Sequence, residues 1–335
     1  MVEVDRAVEC ARAAFPGWAA LGPDGRRPYL RALTRAVARA ADRVAEVVRR
    51  ETGKPAADAV MAEALHAAAQ ADYYARRAGR ILAPRRASPW PLAAKQAWVQ
   101  YQPYGVAGVI TPWNYPFLLP FLAAATALAA GCTVVVKPSE LAPGSGALVA
   151  TLAEQAGLPA GTVQVLQGGP AVGGALVRAG VDLVAVTGST ATGRRVAALA
   201  AERLVPVIAE LGGKDAMVVL EDADLRRAAR AAVWGACFGA GQSCVAVERV
   251  YVVEAVHDRF LAALEDALRG VRAGGGGRRD IGPLAWPERA EALQAQVDDA
   301  VAKGATLRCG GRPAGDRFFP PTLLSGVDHT MAVMR

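Results

Sequence analysis

The sequence predicts an α/β protein built on a doubly wound parallel sheet, with a second α/β domain after it. Three observations carry this. From Gly105 onward, short apolar runs alternate with helical segments about every twenty to thirty residues, the sequence form of parallel strands joined by helices. Those runs are mostly continuous in their apolarity, as strands covered on both faces are. After Gly212 and Gly213 the alternation begins again, which places a domain boundary there. Residues 1–212 then form N-terminal helices and a Rossmann-like sheet, and residues 213–335 a second domain.

The first third reads as helix. Asp5 is placed to cap a helix that runs to about Phe15, with Val8, Ala11 and Phe15 on one stripe, and Pro16-Gly17 ends it. A second helix follows the Gly22-Pro23-Asp24-Gly25 turn, and a third runs from about Ala56 to Ala78. Ala97–Tyr101 alternates as an exposed antiparallel strand does. Parallel strands are expected at Val106–Thr111, Thr133–Val136, Thr162–Leu166, Leu183–Val186 and Val205–Ala209, with helices starting near Phe117, Pro143, Pro170 and Thr190. In the second domain, a strand at Ala216–Leu220 precedes a helix from Asp224 to about Phe238. A strand at Arg249–Val253 then precedes a helix from Ala255 to Leu268, and Gly274–Gly277 reads as a mobile loop. No internal repeat is visible.

Composition narrows the function classes. Of 335 residues, 53% are hydrophobic and 21% charged, enough apolar side chain to offset the entropy of ordering the chain. A formal net charge of +7 raises the question of nucleic acid. The densest basic group is Arg76, Arg77, Arg80, Arg85 and Arg86, with a second at Arg278 and Arg279. No zinc-finger spacing, aromatic RNA-binding signature or basic tail accompanies them, so a solvated surface is the reading and no nucleic-acid partner is expected. The cysteines (Cys10, Cys132, Cys237, Cys244, Cys309) are odd in number and far apart, and His66, His257 and His329 are equally dispersed. Disulfides and a metal centre are not expected, and the pattern is cytoplasmic. No signal peptide is indicated. Phe117–Val136 has the length of a membrane span, but Pro120, Gly131 and Thr133 interrupt it, so a buried helix running into a buried strand is expected instead.

Nucleotide sites in doubly wound sheets lie beyond the carboxyl ends of the strands. Polar clusters fall at those ends: Thr111-Pro112-Trp113-Asn114-Tyr115-Pro116, Lys137-Pro138-Ser139-Glu140, Gly168-Gly169-Pro170 with Gly173, Thr187–Gly193, and Glu210-Leu211-Gly212-Gly213. Each alone reads as turn chemistry; in register along one edge they describe a binding crevice. No G-x-G-x-x-G is present. Gly239-Ala240-Gly241 imitates its start, but it follows a helix and Cys244 stands in the last glycine position. Gly188–Gly193 is the better phosphate site, because glycines admit a ligand to the backbone and a helix beginning there offers unpaired N–H groups.

Taken in order, Pro112–Pro116, Lys137–Glu140, Thr187–Thr190, Glu210–Lys214 and Gly241-Gln242-Ser243-Cys244 resemble the signature of the aldehyde dehydrogenase superfamily, and the flanking helices extend the likeness over essentially the whole chain. The resemblance implies oxidation of an aldehyde to a carboxylic acid with NAD(P). It implies Cys244 as the nucleophile that adds to the carbonyl, since a thiohemiacetal can release hydride and a thioester remains. The bland reading of a free cysteine, a small buried hydrophobe, is kept for the other four. Asn114 is implied, with the Cys244 backbone N–H, as donor to the developing oxyanion; by its position it can also cap a helix. Glu210 is implied as the base that activates water, and its apolar neighbours predict a partly buried carboxylate of raised pKa.

The implied cofactor contacts are Ile110, Thr111, Pro112, Trp113, Lys137, Ser139, Glu140, Gly169, Gly173, Thr187, Gly188, Ser189, Thr190, Gly193 and Leu211. Lys137 and Glu140 resemble the pair that holds the adenosine ribose hydroxyls. A carboxylate there accepts from a 2′-OH and repels a 2′-phosphate, which favours NAD, although some family members with a glutamate here use both NAD and NADP. The resemblance implies that full-length relatives are homo-oligomers, dimers or tetramers. A CoA-acylating dehydrogenase and a non-catalytic fragment are the alternatives; Glu210 counts against the first. Val247–Val252 and Gly213-Lys214-Asp215 resemble branches that act on semialdehydes and on long apolar or carotenoid aldehydes. The ending, Met331–Arg335, resembles the stretch leading into a Glu-x-Phe-Gly-Pro segment, so an incomplete catalytic domain at residues 213–335, a short start and a poor enzyme are expected.

Overall fold

The computed structural model describes residues 2–92, 94–272, 280–286, 288–315 and 317–335. The expected loop at Gly274–Gly277, with Arg278 and Arg279, lies outside them. The chain divides into two compact units, Met1–Glu51 with Ala59–Leu211, and Thr52–Asp58 with Gly212–Arg335. Thr52–Asp58, expected in the first domain, falls in the second unit.

The first unit opens with helices α1 (Val2–Ala20), α2 (Gly22–Arg39), α3 (Ala41–Thr52), α4 (Ala56–Ala59) and α5 (His66–Ile81), with one π turn at Val60–Leu65 between the last two. A hairpin of β1 (Arg85–Ala87) and β2 (Ala97–Val99) follows, antiparallel as the alternation predicts. Then come β3 (Val106–Ile110), α6 (Leu118–Ala130), β4 (Thr133–Lys137), α7 (Pro143–Gln155), β5 (Val163–Val165), α8 (Pro170–Arg178), β6 (Leu183–Gly188), α9 (Thr190–Ala201) and β7 (Val207–Leu211). Five strands form one sheet in the order β5-β4-β3-β6-β7, all neighbours parallel. Period-two alternation sends Val106, Ile110 and Val135 into a core with α1, α8 and α9. Ala107, Val109, Val134 and Val136 enter the opposite core with α2, α3, α5, α6 and α7.

Two expectations at the start are corrected. Pro16 does not end α1, which runs on to Ala20. An interior proline forfeits a backbone bond and costs about 3 kcal/mol. The continuation is held by Trp18, which is 1% exposed and whose Nε1 donates to the Leu128 carbonyl at 3.1 Å. Gly22-Pro23-Asp24-Gly25 is not a turn before a helix but the first turn of α2, with Pro23 where its missing N–H is harmless.

The second unit begins with β8 (Asp215–Val219), α10 (Leu225–Cys237), β9 (Val247–Val252) and α11 (His257–Arg269). β8 and β9 pair in parallel, with α10 as the crossover. Val219, Ala229, Ala232, Phe260 and Leu264 make its core. Helix α12 (Glu288–Ala302) and the antiparallel pair β10 (Thr306–Cys309) and β11 (Leu323–Ser325) complete it. None of these last three was anticipated. Among the described residues no helix is long and apolar enough to cross a membrane, and no cluster of metal-ligating side chains is found.

Candidate active site

In the first unit the strand order reverses direction between β3 and β6, so the crevice beyond the carboxyl edge opens at the ends of those strands. Thr111 to Asn114 leave β3 there, with Thr111 4% exposed and Pro112, Trp113 and Asn114 half-buried. The Thr111 N–H donates to the Lys137 carbonyl at 3.2 Å, which ties the β3 exit to the β4 exit. Its Oγ1 is buried and meets no hydrogen-bond partner among the described residues.

At the end of β4, Lys137 is 5% exposed and its Nζ donates to Glu140 Oε2 at 3.0 Å. Burial pushes the Glu140 carboxyl up. Hydrogen bonds from its own backbone N–H and from Lys137, with the charge of that ammonium, outweigh it and hold the group below the usual carboxylate range. The Ser139 hydroxyl accepts from the Leu141 N–H at 3.2 Å, closing the turn between them. Helix α8 completes this corner: a Cβ on Gly173 would lie 3.7 Å from Ile110 Cδ1 and 3.8 Å from Lys137 Cδ, and one on Gly169 would lie 4.0 Å from Glu140 Oε1. Ile110, Lys137, Glu140, Gly169 and Gly173 are therefore brought together.

At the β6 end, Thr187 and Gly188 belong to the strand, which is longer than expected, and pair with Glu210 and Leu211 of β7. Ser189 caps α9, its Oγ accepting from the Thr192 N–H at 3.2 Å. Gly193 has a packing reason to lack a side chain, since a Cβ there would press to 2.6 Å from Leu211 Cδ2. Glu210 corrects an expectation. It is exposed, not partly buried: Ile208, Ala209 and Glu210 alternate between the two faces of the edge strand β7, and all three are open to solvent.

Two glutamates escaped the sequence reading. Glu63, on the π turn and fully buried, accepts through Oε2 from the Phe117 and Leu118 N–H groups at 3.1 and 2.7 Å. Glu51 accepts from the Gly144 and Ser145 N–H groups at 2.7 and 2.9 Å and from Ser145 Oγ at 2.6 Å. The N-termini of α6 and α7 are thus filled by side chains of the same chain, and the capping role open to Asn114 falls to Glu63 at these two amides. Of the four helices that leave the carboxyl edge, α8 and α9 show no carboxylate at their N-termini among the described residues. No local pattern marks Glu51 or Glu63, since the amides each one meets lie 54 to 94 residues away in sequence.

Cys244 belongs to the second unit. It is exposed and stands three residues beyond a left-handed turn formed by Gly239 (φ 61°), Ala240 (φ 60°) and Gly241 (φ 71°). Asp58 Oδ2 accepts from the Gly239 N–H at 3.4 Å; burial pushes that carboxyl up, against the opposing pull of the Gly239 bond and the Lys54 charge. The other cysteines separate. Cys132 is buried, and Cys237 and Cys309 are half-buried. Burial, then the nearby Cys309, push the Cys237 thiol up to about 11, and Cys309 is raised mainly by burial. Cys10 corrects an expectation: it lies exposed on α1 rather than in a core.

Comparison with known proteins gives the site its setting. The sequence profile described as "Aldehyde dehydrogenase family" matches residues 1–335. The chain is 42% identical to a 4,4'-diapolycopene aldehyde oxidase of Methylomonas sp over 88% of its own length and 56% of the relative's. It is 40% identical to a putative succinate-semialdehyde dehydrogenase [NADP(+)] of Mycolicibacterium smegmatis over 99% of its length and 65% of the relative's. It superposes on the crystal structure of betaine aldehyde dehydrogenase from Staphylococcus aureus in complex with NAD+ with a TM-score of 0.90 at 30% identity, covering 99% of this chain and 68% of that one. The chain thus spans between 56% and 68% of the length of these three proteins. A profile matched from first residue to last, and relatives this similar over nearly its whole length, agree with the five ordered motifs: the chain belongs to the aldehyde dehydrogenase family.

Proposed function

We propose that the protein oxidises an aldehyde to a carboxylic acid, using NAD(P)+ and water, through a thioester on Cys244. The observation that supports it most is the exposed Cys244 thiol beyond its left-handed turn, in a chain whose other unit presents a polar strand-end crevice. The crevice suits a dinucleotide. Thr111 Oγ1 is a buried hydroxyl without a partner, Lys137 and Glu140 offer a donor and a carboxylate acceptor, and the α8 and α9 N-termini are open to phosphate. Glu140 favours a free 2′-OH; the relatives include an enzyme named for NADP(+) and one crystallised with NAD+.

Cys244 adds to the carbonyl, forming the S–C bond while the thiol proton is lost, and the oxyanion takes hydrogen bonds from the Asn114 amide and the Cys244 N–H. The bound nicotinamide supplies a hydride acceptor. Glu210 then takes a proton from the water that attacks the thioester, and the acid leaves with the Cys244 thiol restored. Exposure suits Glu210 to this work, because a base that meets water needs access to it. Two of the relatives are named for 4,4'-diapolycopene aldehyde and for succinate semialdehyde, so long apolar aldehydes and acidic semialdehydes are the substrate classes to rank.

Cys244→Ala is expected to abolish aldehyde-dependent NADH or NADPH formation while cofactor binding, measured by calorimetry, stays near the parent value. Full turnover in that variant ends the nucleophile assignment. In Glu210→Gln, a burst of reduced cofactor followed by a slow steady state is expected, because the thioester forms but is not hydrolysed. Unchanged turnover without a burst means another group activates the water.

A further inference from the structure

A residue two positions before Cys244 carries an unusual set of bonds. The Gln242 side-chain amide donates through Nε2 to the Pro283 carbonyl at 3.2 Å and accepts through Oε1 from the Ala285 N–H at 2.8 Å. This is the pairing a strand makes with its neighbour, done by one side chain against residues i and i+2 of another segment. Nε2 also donates to the Gly239 carbonyl at 3.2 Å, at the start of the left-handed turn. An amide is the side chain that meets all three partners: it has two donors and an acceptor, where a carboxylate has no donor and an aliphatic chain has neither. The 283–285 segment is itself anchored, since a Cβ on Gly282 would lie 3.0 Å from the Gly53 carbonyl of the Thr52–Asp58 segment.

The turn this amide holds is strained. Ala240 at φ 60° and ψ 32° is an L-residue in left-handed helix, where its Cβ crowds the backbone. Such a conformation persists only where its surroundings over-determine it. Here they are Gln242 on the Gly239 carbonyl and Asp58 on the Gly239 N–H. Neither local propensity nor burial of Ala240 accounts for the turn; the hydrogen bonds around it do.

We infer that Gln242 is a positioning residue for the Cys244 nucleophile: its amide clamps the Gly239–Cys244 loop to the Pro283–Ala285 segment and so sets the direction in which the thiol and its backbone N–H are presented to a carbonyl. The inference rests on the assignment of Cys244 as nucleophile. Cys244 itself is exposed, so simple access to the thiol does not depend on the clamp. Carbonyl addition does, because the S–C bond forms only where the oxygen that takes up the charge also meets its donors.

The test separates those two properties on the full chain. Alkylation of Cys244 by iodoacetamide is followed by mass spectrometry, with and without butyraldehyde as the carbonyl probe. Aldehyde is expected to protect the parent thiol by reversible addition, the S–C bond forming as the thiol proton passes to the carbonyl oxygen. In Gln242→Met, which keeps the side-chain volume, the half-protecting aldehyde concentration should rise by about ten- to a hundredfold while alkylation without aldehyde is unchanged. Gln242→Glu should be impaired at least as much, its carboxylate facing two carbonyls. Unchanged half-protection in the Met or the Glu variant overturns the inference. Absence of protection in the parent chain is a different result, which removes the nucleophile assignment and this inference with it. Hydrogen exchange reads the clamp without any substitution: the Ala285 amide should be protected like those of α10, and exchange at the rate of an open loop overturns the clamp.

Discussion

At the scale of single residues, the cysteines show how environment sorts one chemical group into different roles. Cys237, with its thiol pushed up to about 11 chiefly by burial, is a poor nucleophile at neutral pH. Cys132 is sealed in the core between α6 and β4. Cys244 and Cys10 are exposed. Time-resolved iodoacetamide labelling at neutral pH should therefore modify Cys244 and Cys10 first, Cys237 and Cys309 slowly, and Cys132 only on unfolding. Labelling of Cys237 ahead of Cys244 would contradict the burial that separates them. The motif as a sequence names Cys244, but the exposure of Cys10 was invisible to it, because an alanine-rich amphipathic helix does not announce where its stripe ends.

At the scale of elements, two bonds fix the loops that leave β3 and β4. Glu63 is fully buried and holds the first amides of α6, so Glu63→Ala strands two buried donors. A loss of about 1–3 kcal/mol is expected from urea unfolding, with a smaller loss in Glu63→Gln, whose amide oxygen still accepts. Equal stability of all three chains would show that the α6 amides find other partners.

The Lys137–Glu140 pair makes a pH-dependent contribution. The Glu140 carboxyl is held below its unfolded value, so its contribution is fully present above the ordinary carboxylate range and is lost as pH falls through the folded value. Lys137→Met removes the cation. The gap in urea midpoint between parent and variant should then be widest near neutrality and narrow in acid; a gap constant with pH means the pair does not contribute. The effect is modest, because the Glu140 side chain is 44% exposed and solvent screens it.

For the whole molecule, the proposal predicts an uneven response to cofactor. The crevice is built from the first unit alone, by β3, β4 and β6 with α8 and α9. Saturating NAD+ or NADP+ should raise the melting midpoint, by about 2.7 kcal/mol of stability at a hundredfold excess over the Kd. Hydrogen-exchange protection should gather at Thr111–Asn114, Lys137–Glu140 and the start of α9. Cys244→Ala should respond as the parent does. Protection confined to the second unit would place the cofactor elsewhere.

Read from residues alone, the sequence was sufficient for the parallel strands, the helices between them, the polar clusters at the strand ends and the cysteine that closes the last motif. Local periodicity and turn chemistry write these into short windows, and an apolar run of five residues such as Thr133–Lys137 leaves little choice. Only the tertiary structure decided the continuation of α1 past Pro16, the exposure of Glu210, the filled N-termini of α6 and α7, the transfer of Thr52–Asp58 to the second unit, and the Gln242 clamp. The continued helix, the filled N-termini and the clamp turn on partners far apart in sequence: 110 residues from Trp18 to Leu128, 55 from Glu63 to Leu118, 93 from Glu51 to Gly144, 43 from Gln242 to Ala285. Such bonds carry no period and follow from which surfaces the packed sheet and helices bring together.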